Sequence, residues 1–389
     1  MPDDGGIWMK KQDQLVFDTV TQFLAGKVTR KQAAVLLNRR ERTISRIARR
    51  IEARGVLGVT HGNRGRAAHN RTPSEVKSQT MRLMKARYFD FNLTHALEKL
   101  RAEHGIEVSH DTLRRWCHEG GLVKRAKRRR AKIRRHRDRM ASEGMLLQLD
   151  GSPFAYNGRD TWTLIAAIDD ATSDIPYAEF FLSEDTLSCM TVLQKIIEAK
   201  GLPYAIYTDQ AGWLAGHKRA QFTQFQRACE ELDIRLIAAS SPQAKGRIER
   251  AWDTFQDRIV PEMRLRKILR MPSANTYLQE HFLPGYWRKN NVVMAREREQ
   301  AYRPLDKRIA LNEVLCFKEW RTVLADNTLS YNGKLYRLDC PTKHSLWKQK
   351  IELRTYQDLT QRAFFADRPV TLTLVTQPQR PNQPIRKTG

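Results

Sequence analysis

The chain has 389 residues, with 69 Lys and Arg against 43 Asp and Glu, and a formal net charge of +26. Its length suggests two to four domains at about 100–200 residues each, and its 41% hydrophobic residues exclude a chain too polar to build cores. So large a surplus repels itself unless a polyanion neutralises it. No run of about 18 apolar residues and no signal-peptide order is present, so the expected partner is nucleic acid, with no membrane, in the cytoplasm and nucleoid-associated.

Five scattered cysteines without a CxxC pair indicate neither a disulfide framework nor a zinc ribbon. The charge is unevenly laid out. Residues 1–140 hold 34 basic and 14 acidic residues, residues 141–260 hold 11 and 17, and residues 261–389 hold 24 and 12. An acidic centre between basic flanks suits an enzyme that places carboxylates on metal ions while its neighbours hold phosphates.

Residues 1–57 are expected to form three helices. Leu15, Phe17, Val20, Phe23 and Leu24 recur at helical spacing before Gly26. A short second helix follows Thr29 through Ala33–Leu37, and a third carries Ile44, Ile47, Ala48 and Ile51 on one face. Opposite that stripe lie Arg42, Arg46, Arg49 and Arg50, the arrangement of a DNA-binding helix-turn-helix. Residues 58–72 read as an Arg/Gly arm whose Arg64 and Arg66 suit a minor groove.

A second helix-turn-helix is expected over 73–123, with Ser109 capping a helix that carries Arg114 and Arg115. His104, His110, Cys117 and His118 lack metal-ligand spacing and read as surface polar residues. Residues 124–140 form a basic linker. Lys124, Arg125, Lys127, Arg128, Arg129 and Arg130 open a run with 10 basic residues in 14 positions, suited to lie along phosphates.

Over 141–260 the texture changes. Met145–Leu149 reads as a strand ending in Asp150, followed by strands at 162–168 and 175–181. A helix then precedes a fourth strand, Ala205–Tyr207, which ends in Thr208-Asp209. Another helix and a strand at 234–239 complete a mixed sheet with packed helices. Asp150 and Asp209 are thus expected at strand ends, where an open sheet presents its site. A helix with an Ile248, Trp252, Phe255, Ile259 stripe carries Glu249 in its first turns.

These residues resemble the catalytic core shared by retroviral integrases and bacterial insertion-sequence transposases. The resemblance rests on Leu149-Asp150, on Tyr207-Thr208-Asp209 and on the run from Ser241 to Arg250, close to an S-P-x-x-x-G-x-x-E-R pattern. Thirty-nine residues lie between Asp209 and Glu249. Gln210-Ala211-Gly212 departs from the Asn-Gly that often follows the second Asp. The whole layout resembles insertion-sequence transposases of the ISNCY-like group.

That resemblance implies an RNase H-like α/β core. It also implies a DDE site in which Asp150, Asp209 and Glu249 hold two Mg²⁺ ions, with Mn²⁺ able to substitute. Lys245 and Arg247 would contact phosphate near the scissile bond. Asp169 and Asp170 read as turn residues away from the site. The implied partners are the element's terminal repeats, target DNA and further copies of the chain. A DNA-binding repressor with an inactive core, or an RNase H-like nuclease or resolvase, are the alternatives.

Residues 261–315 read as a helical or irregular basic connector, and 316–375 as a small β-barrel. Asn332-Gly333 there separates two alternating runs, a hairpin signal. Residues 376–389 are Pro/Gln-rich and expected to be disordered.

Overall fold

The computed structural model describes residues 10–60, 71–124, 138–209, 217–239, 246–339 and 345–375, with backbone alone at 209, 217–222 and 238–239. The chain divides into two compact units, Met1–Lys77 and Ser78–Gly389.

In the first unit, α1 (Lys11–Leu24), α2 (Arg30–Leu36) and α3 (Glu41–Arg54) surround one small core. Thr29 starts α2 by a reciprocal capping box: its hydroxyl accepts from Gln32 N, and Gln32 Oε1 accepts from Thr29 N. Ile44, Ile47, Ala48 and Ile51 of α3 are buried as their spacing requires. In α1 the core face is Val16, Thr19 and Val20, while Leu15 and Leu24 are exposed.

A 3₁₀ turn at Gly55–Val59 folds back on α3. A Cβ on Gly58 would run into the Arg50 carbonyl, which cannot move without bending the helix. Gly58→Ala is therefore expected to destabilise this unit by about 1–3 kcal/mol, as overpacking does. Hydrogen exchange would show it as faster exchange across α3, and unchanged protection would refute this packing.

Next come α4 (Ser74–Ala86), whose first four residues fall in the first unit, and then, in the second unit, α5 (Leu93–His104) and α6 (His110–Glu119). Asn92 caps α5 by accepting from His95 N, and Ser109 caps α6 by accepting from Thr112 N. Gly105 ends α5 with φ +62°, a left-handed position that suits glycine.

A five-stranded sheet follows in the order β3-β2-β1-β4-β5. Its strands are β1 (Leu147–Phe154), β2 (Trp162–Asp169), β3 (Tyr177–Phe181), β4 (Ala205–Asp209) and β5 (Arg235–Ala239). β1 pairs antiparallel with β2 and parallel with β4, so the sheet is mixed. Strand alternation distributes β2 between two cores. Trp162, Leu164, Ala166 and Ile168 join one with α9 (Gly246–Leu265). Ile165 and Ala167 join the other with α7 (Thr186–Lys200) and α8 (His217–Glu231).

Beyond residue 260, where a helical or irregular connector is expected, the chain is largely helical to Asn291 and packs into the core. α9 continues through Pro261 because Ile259 and Met263 stay on its buried stripe. α10 (Met271–Tyr277) then passes into a π-helical stretch, Leu278–Trp287, and α11 (Arg288–Asn291). Ala274, Leu278, Phe282, Leu283 and Trp287 all belong to the core under α9. The Asn275 side chain accepts from Phe180 N (2.8 Å) and donates to Phe180 O (3.3 Å), and Gln279 donates to Ala178 O. These amides occupy the outer edge of β3, which would otherwise offer unpaired backbone groups.

After α12 (Leu311–Val314), six strands form a barrel-like antiparallel sheet in the order β6-β9-β10-β11-β8-β7. They are β6 (Phe317–Thr322), β7 (Thr328–Tyr331), β8 (Lys334–Asp339), β9 (Lys350–Thr355), β10 (Gln361–Phe365) and β11 (Arg368–Leu374). Asn332 and Gly333 both take positive φ in the β7–β8 turn. β6 and β10 went unread in the sequence because Lys318-Glu319-Trp320-Arg321 and Gln361-Arg362 break the apolar alternation. Gln224 of α8 holds the start of β6, donating to Lys318 O and accepting from Lys318 N.

Candidate active site

Asp150 corrects one expectation, since it is the fourth residue of an eight-residue strand and not a strand's last. β1 runs on beyond it as a hairpin with β2, to the Phe154–Trp162 pair. Its pairing with β4 is recorded at Leu147–Ile206 and Gln148–Tyr207. Two more steps of that register set Asp150 level with Asp209, the last residue of β4, on strands about 4.8 Å apart. β1 has thus passed the end of β4 by Pro153, where a missing N–H leaves no ladder partner unserved.

One face of β1 is polar at every second residue, Gln148, Asp150 and Ser152, and α9 answers it at every fourth. The Gln148 side-chain oxygen lies 3.4 Å from Ile248 N, Trp252 Nε1 donates to Asp150 Oδ2 at 3.0 Å, and Gln256 Nε2 donates to Ser152 Oγ at 3.1 Å. Two strand residues advance about 6.6 Å and four helix residues about 6 Å, so the repeats match over this length. The helix is thereby laid along the strand in a defined register. Glu249, exposed in the first turn, lies one helical turn from the residue that bonds Asp150.

The start of α9 is fixed by a second group. Asp170 is wholly buried and accepts from Met140 N (2.9 Å), Gln148 Nε2 (2.8 Å) and Arg247 Nη1 (2.9 Å). Arg247, expected on phosphate, thus pins the helix start to the β2–β3 turn. Asp170 does lie at that turn, yet it anchors the helix that carries Glu249. Burial raises the carboxyl pKa of Asp169, against the pull of hydrogen bonds from the Gly144 and Thr172 backbone and the Thr172 hydroxyl.

A further acid, Glu184, lies beside Gly151, the residue after Asp150. A Cβ on Gly151 would fall 2.5 Å from Glu184 Oε2, so only glycine lets that carboxylate approach. Burial drives the Cys189 thiol pKa well above its ordinary value, and the negative charges of Glu184, Asp185 and Asp150 push it the same way. Cys189 is an inert core thiol beneath an acidic patch. Among the described residues no group of three His, Cys, Asp or Glu is arranged to hold a metal. The Asp209 side chain is outside those residues.

Of the candidate DNA contacts, Arg42, Arg46 and Arg49 are exposed on α3, Arg114 and Arg115 on α6, and Lys124 just beyond. Arg50 is half-buried and its Nη1 donates to Thr60 O at 3.4 Å, so it serves the 3₁₀ turn. Arg64, Arg66, Arg125, Lys127, Arg128, Arg129, Arg130 and Lys245 lie outside the described residues, as do Gln210-Ala211-Gly212, Ser241–Ala244 and the tail 376–389. The surface reading of the His/Cys group holds for His110, which is exposed, and is corrected for Cys117. Cys117 is fully buried, His104 Nε2 lies 2.9 Å from Tyr88 Oη, and His118 Nδ1 bonds Val123 O.

The sequence reading missed the link between Trp252 and Asp150. Its signal was present in the alternation of Gln148, Asp150 and Ser152 against residues 248, 252 and 256. Among the described residues no helix is long and apolar enough to cross a membrane.

No protein-family model matches the chain. It is 32% identical over 396 aligned residues to the putative transposase y4bF of Sinorhizobium fredii (strain NBRC 101917 / NGR234), covering 97% of this chain and 86% of that one. It is 28% identical over 393 residues to the transposase for insertion sequence IS1202 of Streptococcus pneumoniae, covering 91% and 82%. Among solved structures it is similar to a chain of the simian T-cell lymphotropic virus intasome in complex with PP2A regulatory subunit B56 gamma. The TM-score is 0.34 at 15% identity, over 77% of this chain and all of that one. It is also similar to the HTLV-2 integrase catalytic core domain in complex with magnesium, with TM-score 0.31 at 16% identity, over 42% and 98%.

Proposed function

The chain belongs to the transposase family, and from that premise we propose that it binds the terminal repeats of its mobile element, cleaves the DNA strand there and joins the 3′ end to target DNA. The observation that carries the reading is the juxtaposition of Asp150 and Asp209 at one register level, with the first turn of α9 held beside them by Trp252. Asp150, Asp209 and Glu249 are its acting residues, in a DDE arrangement on an RNase H-like sheet.

The donor set fits a hard divalent cation. All three residues are carboxylates, and the two Asp positions lie on neighbouring strands at one level. Asp150, Asp209 and Glu249 would hold two Mg²⁺ ions, with Mn²⁺ able to substitute. When bound, magnesium would activate a water or 3′-hydroxyl and neutralise charge on the leaving oxygen.

The chain's own residues do the positioning. Trp252 occupies one lone pair of Asp150 Oδ2 and so orients the carboxylate. Asp170, through Arg247 and Gln148, fixes the start of α9 against the sheet, which supports a role for Glu249 there. Arg42, Arg46 and Arg49 of α3 and Arg114 and Arg115 of α6 would meet DNA, the first set reading a major groove. Arg64, Arg66, Lys124, Arg125, Lys127, Arg128, Arg129, Arg130 and Lys245 would add phosphate contacts, and each phosphate neutralised steepens the salt dependence of binding. Further copies of the chain would assemble on paired ends.

The test uses end-labelled DNA from the flanks of the gene with Mg²⁺ or Ca²⁺. The full chain should cut at the element's ends with Mg²⁺ only. A variant lacking residues 1–72 should keep DNA affinity and lose the preference for ends over unrelated DNA. Absence of any Mg²⁺-dependent cleavage sinks the proposal, and an unchanged preference in the shortened chain sinks the assignment of end recognition to α1–α3.

A further inference from the structure

α9 begins at the active site, and its far half is held by the helix that precedes α6. Arg258 forms a two-bond fork with Glu98 of α5, Nη1 to Oε2 at 2.7 Å and Nη2 to Oε1 at 3.0 Å. Arg264 forms a second fork with Asp90, which lies just before α5, through Nε and Nη2 at 2.6 Å each. Between them Glu262 takes Lys99 Nζ at 2.7 Å and His95 Nε2 at 2.9 Å, and Asn92 bonds Asp257. Arg258 is 9% exposed in its side chain and stacks over the Tyr286 ring at 4.0 Å.

These bonds span a groove of about 980 Å³ bordered by Asp90, Asn92, Asp253 and Asp257. Long paired side chains thus bridge the two helices across this groove. A planar guanidinium gripping a carboxylate with two parallel bonds fixes both distance and angle, which a lysine pair would not. Arg258 is nine residues beyond Glu249, about 14 Å along the helix. α6, with Arg114 and Arg115 exposed, is the next helix after α5.

We infer that this two-fork seam is a positioning device: it holds the DNA-contacting helix α6 at a set distance from Glu249 and so selects the phosphate that is cut. The inference rests on the transposase reading. Glu98, Asp90, Arg258 and Arg264 are positioning residues that act through α9 and touch no substrate. Loosening them leaves each end of the device intact while the spacing between the ends is lost. Misplacement by about 1 Å at a reacting centre costs about a hundredfold in rate.

The test is the full chain with Glu98→Gln and Asp90→Asn combined, since both carboxylates are partly exposed and their loss spares the buried guanidinium stack. A second variant exchanges the pair, Glu98→Arg with Arg258→Glu. End binding, cleavage rate and cut position at nucleotide resolution are measured, together with hydrogen exchange in α5. The amide variant is expected to bind ends as the parent does, to cut about a hundredfold more slowly and to spread its cuts over neighbouring phosphates. α5 should exchange faster, and the exchanged pair should restore a single cut. A single cut at the parental phosphate and rate in the amide variant overturns the inference. If the parent cuts no end DNA, the transposase reading fails instead, and the seam is judged by exchange: unchanged protection of α5 in the amide variant overturns it too.

Discussion

Asp150→Asn is expected to bind end DNA like the parent chain and to lose Mg²⁺-dependent cleavage and strand transfer by about a thousandfold or more. Several kcal/mol of transition-state stabilisation come from a metal held at a reacting phosphate, and each 1.4 kcal/mol is tenfold. The substitution changes charge while keeping shape. The side-chain oxygen of Asn still accepts the Trp252 indole N–H, so the junction between β1 and α9 survives. Cleavage assays at several Mg²⁺ concentrations, beside a thermal unfolding curve, separate chemistry from folding. Near-parental cleavage with parental stability would place the active carboxylates elsewhere.

The second large effect is on stability. Glu262→Ala is expected to cost about 3–5 kcal/mol, because it strips the buried end of the seam of the acceptor shared by His95 and Lys99. Burial by itself would raise the Glu262 carboxyl, but the hydrogen bonds from His95 and Lys99 outweigh it and hold its pKa at about 2 against an ordinary 4.5. The folded value is below the unfolded one. Its contribution, about 3 kcal/mol from that gap, is therefore fully present above pH about 4.5 and is lost as pH falls towards 2. Urea unfolding of the parent and of Glu262→Gln between pH 7 and 3 checks this. The gap between their stabilities should narrow with falling pH, and a constant gap would refute the role of the ionised carboxylate.

Much of the fold was legible because its signals are local. The Ile44, Ile47, Ala48, Ile51 stripe, the Ser109 cap, the apolar run of β2 and the Asn332-Gly333 turn each depend on neighbours within a few residues. β6 and β10 were illegible for the same reason. Their charged residues pair across the small sheet and with α8, as Lys318 does with Glu231 at 2.9 Å, and no local pattern records such partners. The residues after Pro261 read as a connector because their sequence is mixed and basic. Burial of Met263 and of the turns that follow depends on the core under α9, which no local pattern records.

The candidate site divides in the same way. Charge layout, the order of Asp150, Asp209 and Glu249 and the motif around Glu249 are properties of the chain as a string, and by themselves they pointed to metal-dependent chemistry on nucleic acid. The tertiary structure alone decided which charges are spoken for. Arg247 meets Asp170 across 77 residues, Trp252 meets Asp150 across 102 and Arg258 meets Glu98 across 160. A side chain's exposure and partner depend on what the fold brings to it from afar, and spacing along a chain encodes only what lies within a turn of helix or a step of strand.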